Sequence, residues 1–365
     1  MRLLIMLTLL SSSQLFATEN ATTCKGCHPT IYTEFQNSFH KKSSIKEDKI
    51  HNAVWNLHPA KAKGNYKKCA ECHTPNNTAH EGITCVSCHS ITTIENHSTA
   101  NKNIYETKPK TLYSAEKGSE DKKVIYQEKS SWLGMIKETT GSPYHDIDYT
   151  NKGYYTGKIC MGCHSHKQNS HDFDLCRTEI EGAKNDQSNC ITCHMPQIQG
   201  SSTSIKKTKT HAFHGFAGVR NAPEMLSKHI NLAFKQLTNR FEIIIHNDTP
   251  HALLTHPLRV VELKTVLKRD GKKEELKTHT FVRTIGHNGK PSMPWLANQV
   301  IKDTMIKANE KRMVAFDTIL KSGDELEVIL GYRIINSVSA KKLGLEKEKE
   351  LVEFTPLKRA YFSVE

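Results

Sequence analysis

Cys190-Ile191-Thr192-Cys193-His194-Met195-Pro196 decides how the rest of the chain is read, because its C-x-x-C-H core occurs four more times, at residues 24–28, 69–73, 85–89 and 160–164. Two thiols at this spacing add covalently to the vinyl groups of a haem, and the histidine that follows comes up under the iron as proximal ligand. One match is compatible with chance; five in register are not. The attachment cysteines are then Cys24 and Cys27, Cys69 and Cys72, Cys85 and Cys88, Cys160 and Cys163, and Cys190 and Cys193, with His28, His73, His89, His164 and His194 as proximal ligands. Five covalently bound haem c groups follow. Cys69, Cys72, Cys85 and Cys88 also have the spacing of a structural zinc site, and an exported chain can carry disulfides. Neither alternative accounts for a histidine directly after every pair.

Export is the second expectation. Met1-Arg2, an apolar run over residues 3–10 and the small residue Ala17 form the three regions of a signal peptide. The run is too short to span a bilayer, the competing reading being an uncleaved anchor. No later stretch is apolar enough for a transmembrane span. The mature chain is expected to be periplasmic and soluble, on the side of the membrane where covalent haem attachment is completed. The formal charge of +13 suggests nucleic acid or a membrane surface. Losing Arg2 and gaining two propionates on each of five haems brings it to about +2, which argues against a nucleic-acid partner. A basic docking patch for an acidic redox partner fits the same lysines.

Two domains are expected after the signal peptide (1–17): a pentahaem domain over 18–236 and a haem-free β-domain over 237–365. The first has few aliphatic residues, so five macrocycles must supply its apolar volume. Ile31, Phe35 and Phe39 mark a helix that ends at His40. Twelve residues separate Cys72 from Cys85, which makes their haems neighbours. Residues 91–129 are polar with weak periodicity and read as an exposed excursion with little haem contact. Order returns at Trp132-Leu133-Gly134-Met135, and residues 223–237 read as a helix. From about residue 238 the pattern alternates, with Arg269-Asp270-Gly271-Lys272 as a hairpin turn. About six short strands suggest a β-sandwich. The fold class is thus α + β multidomain, a mostly helical, loop-rich pentahaem domain followed by a β-sandwich-like one.

The residues 32–40, 69–89, 142–145, 160–164, 190–196 and 211–215 together resemble a multihaem cytochrome c superfamily. It includes the tetrahaem electron acceptor of hydroxylamine oxidoreductase, hydroxylamine oxidoreductase itself and octahaem tetrathionate reductase. The back half is similar to a β-domain often appended to such cytochromes, through residues 247–251, Arg259, Asp270-Gly271 and 303–306. The chain has fewer motifs than the enzymes of that group. The resemblance implies distal ligands in the segments of His40, His145 and His211. His58, His80, His171, His214 and His251 form a second tier. His51, His97, His166, His229, His246, His256, His279 and His287 receive no assignment.

Met195 directly follows a proximal histidine and reads as haem-edge packing rather than an axial ligand. Cys176, the cysteine left over after five pairs, reads as a small buried apolar residue, with a reactive thiol as the alternative. With histidine so abundant, bis-His, low-potential haems are expected. The function expected is an electron carrier between redox partners, either a membrane quinol-oxidising cytochrome or a soluble periplasmic redox enzyme, with the β-domain as a docking module. The alternative is a multihaem oxidoreductase that acts on a small nitrogen or sulfur compound at one open iron, with Tyr154, Tyr155, Lys158 and His166 among the residues near motifs. Every motif ends in histidine, so the lysine-ligated haem of pentahaem nitrite reductases is absent. A third reading is a structural subunit of a larger complex.

Overall fold

The computed structural model describes residues 21–75, 82–107, 110–130, 137–178, 189–254 and 256–365. The signal segment, residues 132–135 and His80 therefore lie outside the described residues. Among the described residues no helix is long and apolar enough to cross a membrane.

Short helices carry the motifs. Lys67–His73, Cys85–His89, Met161–His164 and Cys190–His194 are each little more than one or two turns. A helical turn is what the C-x-x-C-H spacing needs, since residues three and four apart share a face. Two of the turns start at capping boxes. The Thr84 and Ser87 side chains bond each other's backbone amides, as do Asn189 and Thr192. At the first motif the helix Ala21–Cys24 gives way to turns, but the His28 amide still donates to the Cys24 carbonyl at 2.9 Å. His28 then leads into the helix Pro29–Asn37. A further helix, Lys49–Leu57, is capped by Asp48, whose carboxylate accepts from the Ile50 and His51 amides.

The region between the third and fourth motifs departs from the expected excursion. Ile91–Glu95 and Lys102–Tyr105 form an antiparallel hairpin, and Thr111–Tyr113 and Lys123–Val124 flank Asp146–Asp148 in a small mixed sheet. This hairpin touches the motifs directly: the Asn103 amide donates to the Cys163 sulfur at 3.4 Å. Its strands lack an aliphatic stripe because they do not face an aliphatic core, so the periodicity that marks a strand is weak in the sequence.

The back half is built on antiparallel sheets. Phe241–Asn247 runs between Ile230–Gln236 and Lys311–Phe316. Val260–Arg269 pairs with Glu325–Arg333, which pairs in turn with Thr355–Ser363. The Asp270-Gly271 turn joins Val260–Arg269 to Lys272–Glu275 with both turn residues at positive φ, as a type I′ hairpin requires. Phe241, Ile243 and Ile245 of the first sheet share one buried cluster with Leu263, Leu267, Leu326, Val328 and Leu330 of the second. Each such side chain contributes about 1.5–3 kcal/mol on burial. A third sheet is formed by Lys290–Pro291, Arg283–His287 and Gln299–Asp303.

Residues 223–237 are not one helix. Pro223–His229 is a 3-10 helix and Ile230–Gln236 is a strand whose Ile230, Leu232 and Phe234 turn toward the core while Asn231, Ala233 and Lys235 face out. The β region therefore starts near Ile230, ahead of the boundary expected at 236/237. The two regions are joined by Ile50, which enters the β core, and by Lys49, which pairs with Glu348 and, at 2.7 Å, with Glu350.

Candidate haem sites

Each motif histidine is aimed by a bond to its outer nitrogen or by burial. Nδ1–H donates to a backbone carbonyl in four of them: His28 to Ser202 at 2.7 Å, His73 to Ser43 at 3.2 Å, His89 to Tyr113 at 2.6 Å and His194 to Ala217 at 2.6 Å. A histidine whose Nδ1 is spent in this way presents the Nε2 lone pair to a metal, the usual arrangement around metal-bound imidazole. Burial lowers the pKa of His73 to about 4 and pushes His89 and His164 down as well. The neutral form, which is the one that ligates, is favoured.

Across from these rings stand five other imidazoles. His28 faces His145 with ring centroids 6.3 Å apart, His89 faces His214 at 6.2 Å, His194 faces His251 at 6.1 Å, and His164 meets His40 edge-on at 5.9 Å. An imidazole nitrogen binds a first-row metal at about 2 Å, so two rings sharing one metal ion stand about 6 Å apart. Four pairs leave that gap. The fifth does not: His73 and His51 are 4.0 Å apart, and both Nδ1 atoms donate to the Ser43 carbonyl. Among the facing rings, His214 and His251 repeat the Nδ1-to-carbonyl bond, to Ala212 at 2.7 Å and Ala252 at 2.9 Å.

Of the first-tier histidines, His40 and His145 are thus brought opposite motif histidines and His211 is not. His211 is buried and its Nε2 is bonded to the Glu34 carboxylate at 2.8 Å. The other Glu34 oxygen accepts from the His214 amide at 2.8 Å. Glu34 and His211 therefore hold in place the strand end that presents His214. Of the second tier, His214 and His251 face motif rings. His58 does not: its Nδ1 accepts from the Ala60 amide at 3.0 Å and its ring packs between Trp55 and Trp295. His171 is exposed on a turn. His51 was unassigned by sequence reasoning, which ranked histidines by their surroundings in the sequence. The signal it did carry was its place just after a capping aspartate, one turn into an amphipathic helix. The β region is not separate from the sites, since it supplies His251 from a turn braced by Asn247, whose amide donates to the His251 carbonyl at 3.0 Å and the Lys307 carbonyl at 2.8 Å.

The motif sulfurs map which sites adjoin. Cys85 lies within hydrogen-bonding reach of Cys24, Cys72 of Cys163, and Cys160 of Cys190. Third and fourth motifs are tied by Tyr154, whose hydroxyl donates to the Cys88 and Ile91 carbonyls at 2.5 and 3.1 Å. Gly157 sits at φ +75° with Cys190 so near that an added Cβ would stand 2.6 Å from the cysteine Cβ. The four cysteines with zinc spacing are not gathered, because Cys72 turns to Cys163 and Cys85 to Cys24. All ten motif cysteines stay partly accessible although Cys88, Cys160 and Cys163 lie deep in the molecule, so they line internal space of the kind a macrocycle fills.

Other residues near the motifs are used by the fold. The Tyr155 hydroxyl donates to the Tyr149 carbonyl at 3.0 Å, and His166 Nε2 bonds the His97 and Ser98 carbonyls at 2.9 Å. Met195 is the half-buried cap of the helix Cys190–His194. Cys176 pairs across a hairpin with Lys167, and burial raises its thiol pKa.

Residues 23–90 match the family model described as cytochrome c554 and c-prime. No curated protein matches. A penta-heme cytochrome c552 from Thermochromatium tepidum is similar in structure, with a TM-score of 0.72 and 21% identity over 95% of this chain and 99% of that one. The curli protein CsgC of E. coli covers 28% of this chain and 83% of its own, with 9% identity and a TM-score of 0.17 that carries no argument. With the five motifs, these likenesses support a multihaem c-type cytochrome with covalently bound haem.

Proposed function

We propose that this chain is an exported electron carrier with five haem c groups, each held by two cysteines and a proximal histidine of one motif. The distal ligands are His145 for the first motif, His51 for the second, His214 for the third, His40 for the fourth and His251 for the fifth. The observation that carries the reading is the gap of 5.9–6.3 Å between four motif rings and their facing imidazoles. For the second motif it requires His51 and His73 to part by about 2 Å, the length of one metal–nitrogen bond. When bound, haem supplies a one-electron iron couple whose potential follows from axial ligand and burial.

The protein's part is placement. Contacts among the motifs run from the first to the third, third to fourth and fourth to fifth, with the second beside the fourth. In this reading the fourth site is the junction, and the first, second and fifth are the ends at which partners exchange electrons. Those partners are a membrane quinol-oxidising cytochrome or a soluble periplasmic redox enzyme. The relationship to the hydroxylamine oxidoreductase group and a β-sandwich description of the back half belong to the same reading.

One observation favours the oxidoreductase alternative. If His51 keeps its 4.0 Å separation from His73, the two rings cannot share one metal ion, and a haem held by the second motif would lack His51 as a ligand, with the Tyr66 hydroxyl 3.5 Å from His51 Nε2. Low-temperature EPR of the oxidised protein, with optical spectra before and after cyanide, tests this. Five low-spin haems indifferent to cyanide are expected. A high-spin signal that cyanide removes would replace the carrier with an enzyme that works at an open iron.

A further inference from the structure

Arg259 precedes the strand Val260–Arg269, and its place is fixed by backbone bonds. Its amide donates to the His256 carbonyl at 3.0 Å, while the neighbouring Leu258 carbonyl accepts from the Asn336 amide at 2.7 Å. The guanidinium lies deep in the molecule, near His164 and Arg220. Arg220 has its own counter-charge, Asp48 at 3.0 Å. The Asp48 carboxylate is already engaged by that arginine and by the Ile50 and His51 amides. Tyr332, the other polar group close by, gives its hydroxyl hydrogen to the Val219 carbonyl at 2.7 Å. Among the described residues the Arg259 side chain has no hydrogen bond and no ion pair.

A buried guanidinium cannot lose its proton at any ordinary pH, so it needs an anion close by. Burial and the nearby Arg220 push even this group down to about 10. His256 stands beside it. Its Nδ1 accepts from the Leu258 amide at 3.2 Å, which places the ring proton on Nε2. Arg259 is half-buried and His256 is exposed, although both stand among closely packed groups, as side chains lining an internal space do. Two donors therefore stand together, Arg259 beside His164 of the fourth motif and His256 with His73 of the second also near it, and among the described residues no acceptor meets them.

We propose that Arg259 and His256 bind a carboxylate there, and that it is a propionate of the haem held by Cys160, Cys163 and His164. The inference rests on the fourth motif carrying haem. It adds a hold by charge on a bound haem to those through His251, Ile50 and Lys49. Arginine suits the task because its planar fork matches a carboxylate with two parallel bonds.

The test uses the matured holoprotein and the variants Arg259→Met and Arg259→Lys. A pyridine haemochrome assay first counts haems; fewer than five in the wild type would fail the underlying reading and not this one. With five present, potentiometric titration of Arg259→Met should move about one fifth of the absorbance change to lower potential, since loss of a positive charge favours ferric iron. Its melting temperature should fall, because the propionate is left buried and unpaired. Arg259→Lys should stay near wild type in potential. If Arg259→Met does not mature, Arg259→Gln removes the same charge and takes its place. A superimposable titration overturns the proposal, as does a rise in melting temperature, which would mean that the guanidinium had no anion. Added nitrite or sulfite should leave the wild-type spectrum unchanged. A spectral shift seen in wild type and lost in Arg259→Met would assign the seat to a free oxyanion, and the propionate would be wrong.

Discussion

At the scale of single residues, the sites turn on which nitrogen of each imidazole is spent. His214 and His251 give Nδ1–H to backbone carbonyls and hold Nε2 toward a motif ring, whereas His211 gives Nε2 to Glu34. The two kinds of histidine should respond oppositely to truncation. His214→Ala should turn one haem of five high-spin and cyanide-sensitive in low-temperature EPR. His211→Ala should leave five low-spin haems, because Glu34 still holds the His214 amide at 2.8 Å. A high-spin signal in His211→Ala alone would reverse the assignment. This distinction was not legible in the sequence. Both residues sit within Thr210-His211-Ala212-Phe213-His214, and only the fold reveals that Glu34, far off in sequence, claims one of them.

At the scale of elements, the hairpin Val260–Glu275 is fastened to the strand Glu325–Arg333 by ion pairs, Glu262 with Arg333 at 2.6 Å and, at the turn that leads into the strand, Arg269 with Asp324. Asp324, almost fully buried, accepts from Arg269 Nε at 2.8 Å and Nη2 at 2.6 Å and from the Lys321 amide at 2.8 Å. The bond from Arg269 holds its carboxyl below the usual carboxylate range. A folded-state pKa below the unfolded one means that the pair stabilises fully above the unfolded value of about 3.9 and fades as pH falls through the folded value. Asp324→Asn should lower the melting temperature by a few degrees at neutral pH, measured by circular dichroism. The gap to wild type should close as pH drops below about 4; a gap that is constant with pH would show that the carboxylate charge is not what matters. The hairpin was readable because Asp270-Gly271 is local turn chemistry. The strand Ile230–Gln236 was not, since Leu232, Phe234 and the residues preceding them also satisfy a helical period over so short a span. Its partner Phe241–Asn247 decides the matter. Likewise the hairpin after residue 90 could not be read, because its inner face meets the haem sites and has no aliphatic alternation.

At the scale of the whole molecule, the two regions are held together by different means. Among the described residues before Ile230, only Ala21, Phe35, Ile50, Trp55, Ile91, Tyr154 and Ala217 are buried apolar side chains, and Ile50 belongs to the β core. Some two hundred residues with so few inward side chains cannot offset chain entropy of about 1–2 kcal/mol per residue. The internal space lined by the motif cysteines must be filled for that region to fold. The β region, by contrast, encloses a continuous cluster from Ile230 to Val364. If the chain is made where haem is not attached, the two regions should therefore separate in stability. Limited proteolysis of such material, with the fragments read by mass spectrometry, should degrade the front and leave a resistant piece that begins near residue 230. The holoprotein should resist along its length under the same conditions if, as proposed, macrocycles fill the front and His251 ligates one of them from the back. Uniform resistance without haem would mean that the front has a core these side chains do not supply, and the haems would then be passengers rather than part of the fold.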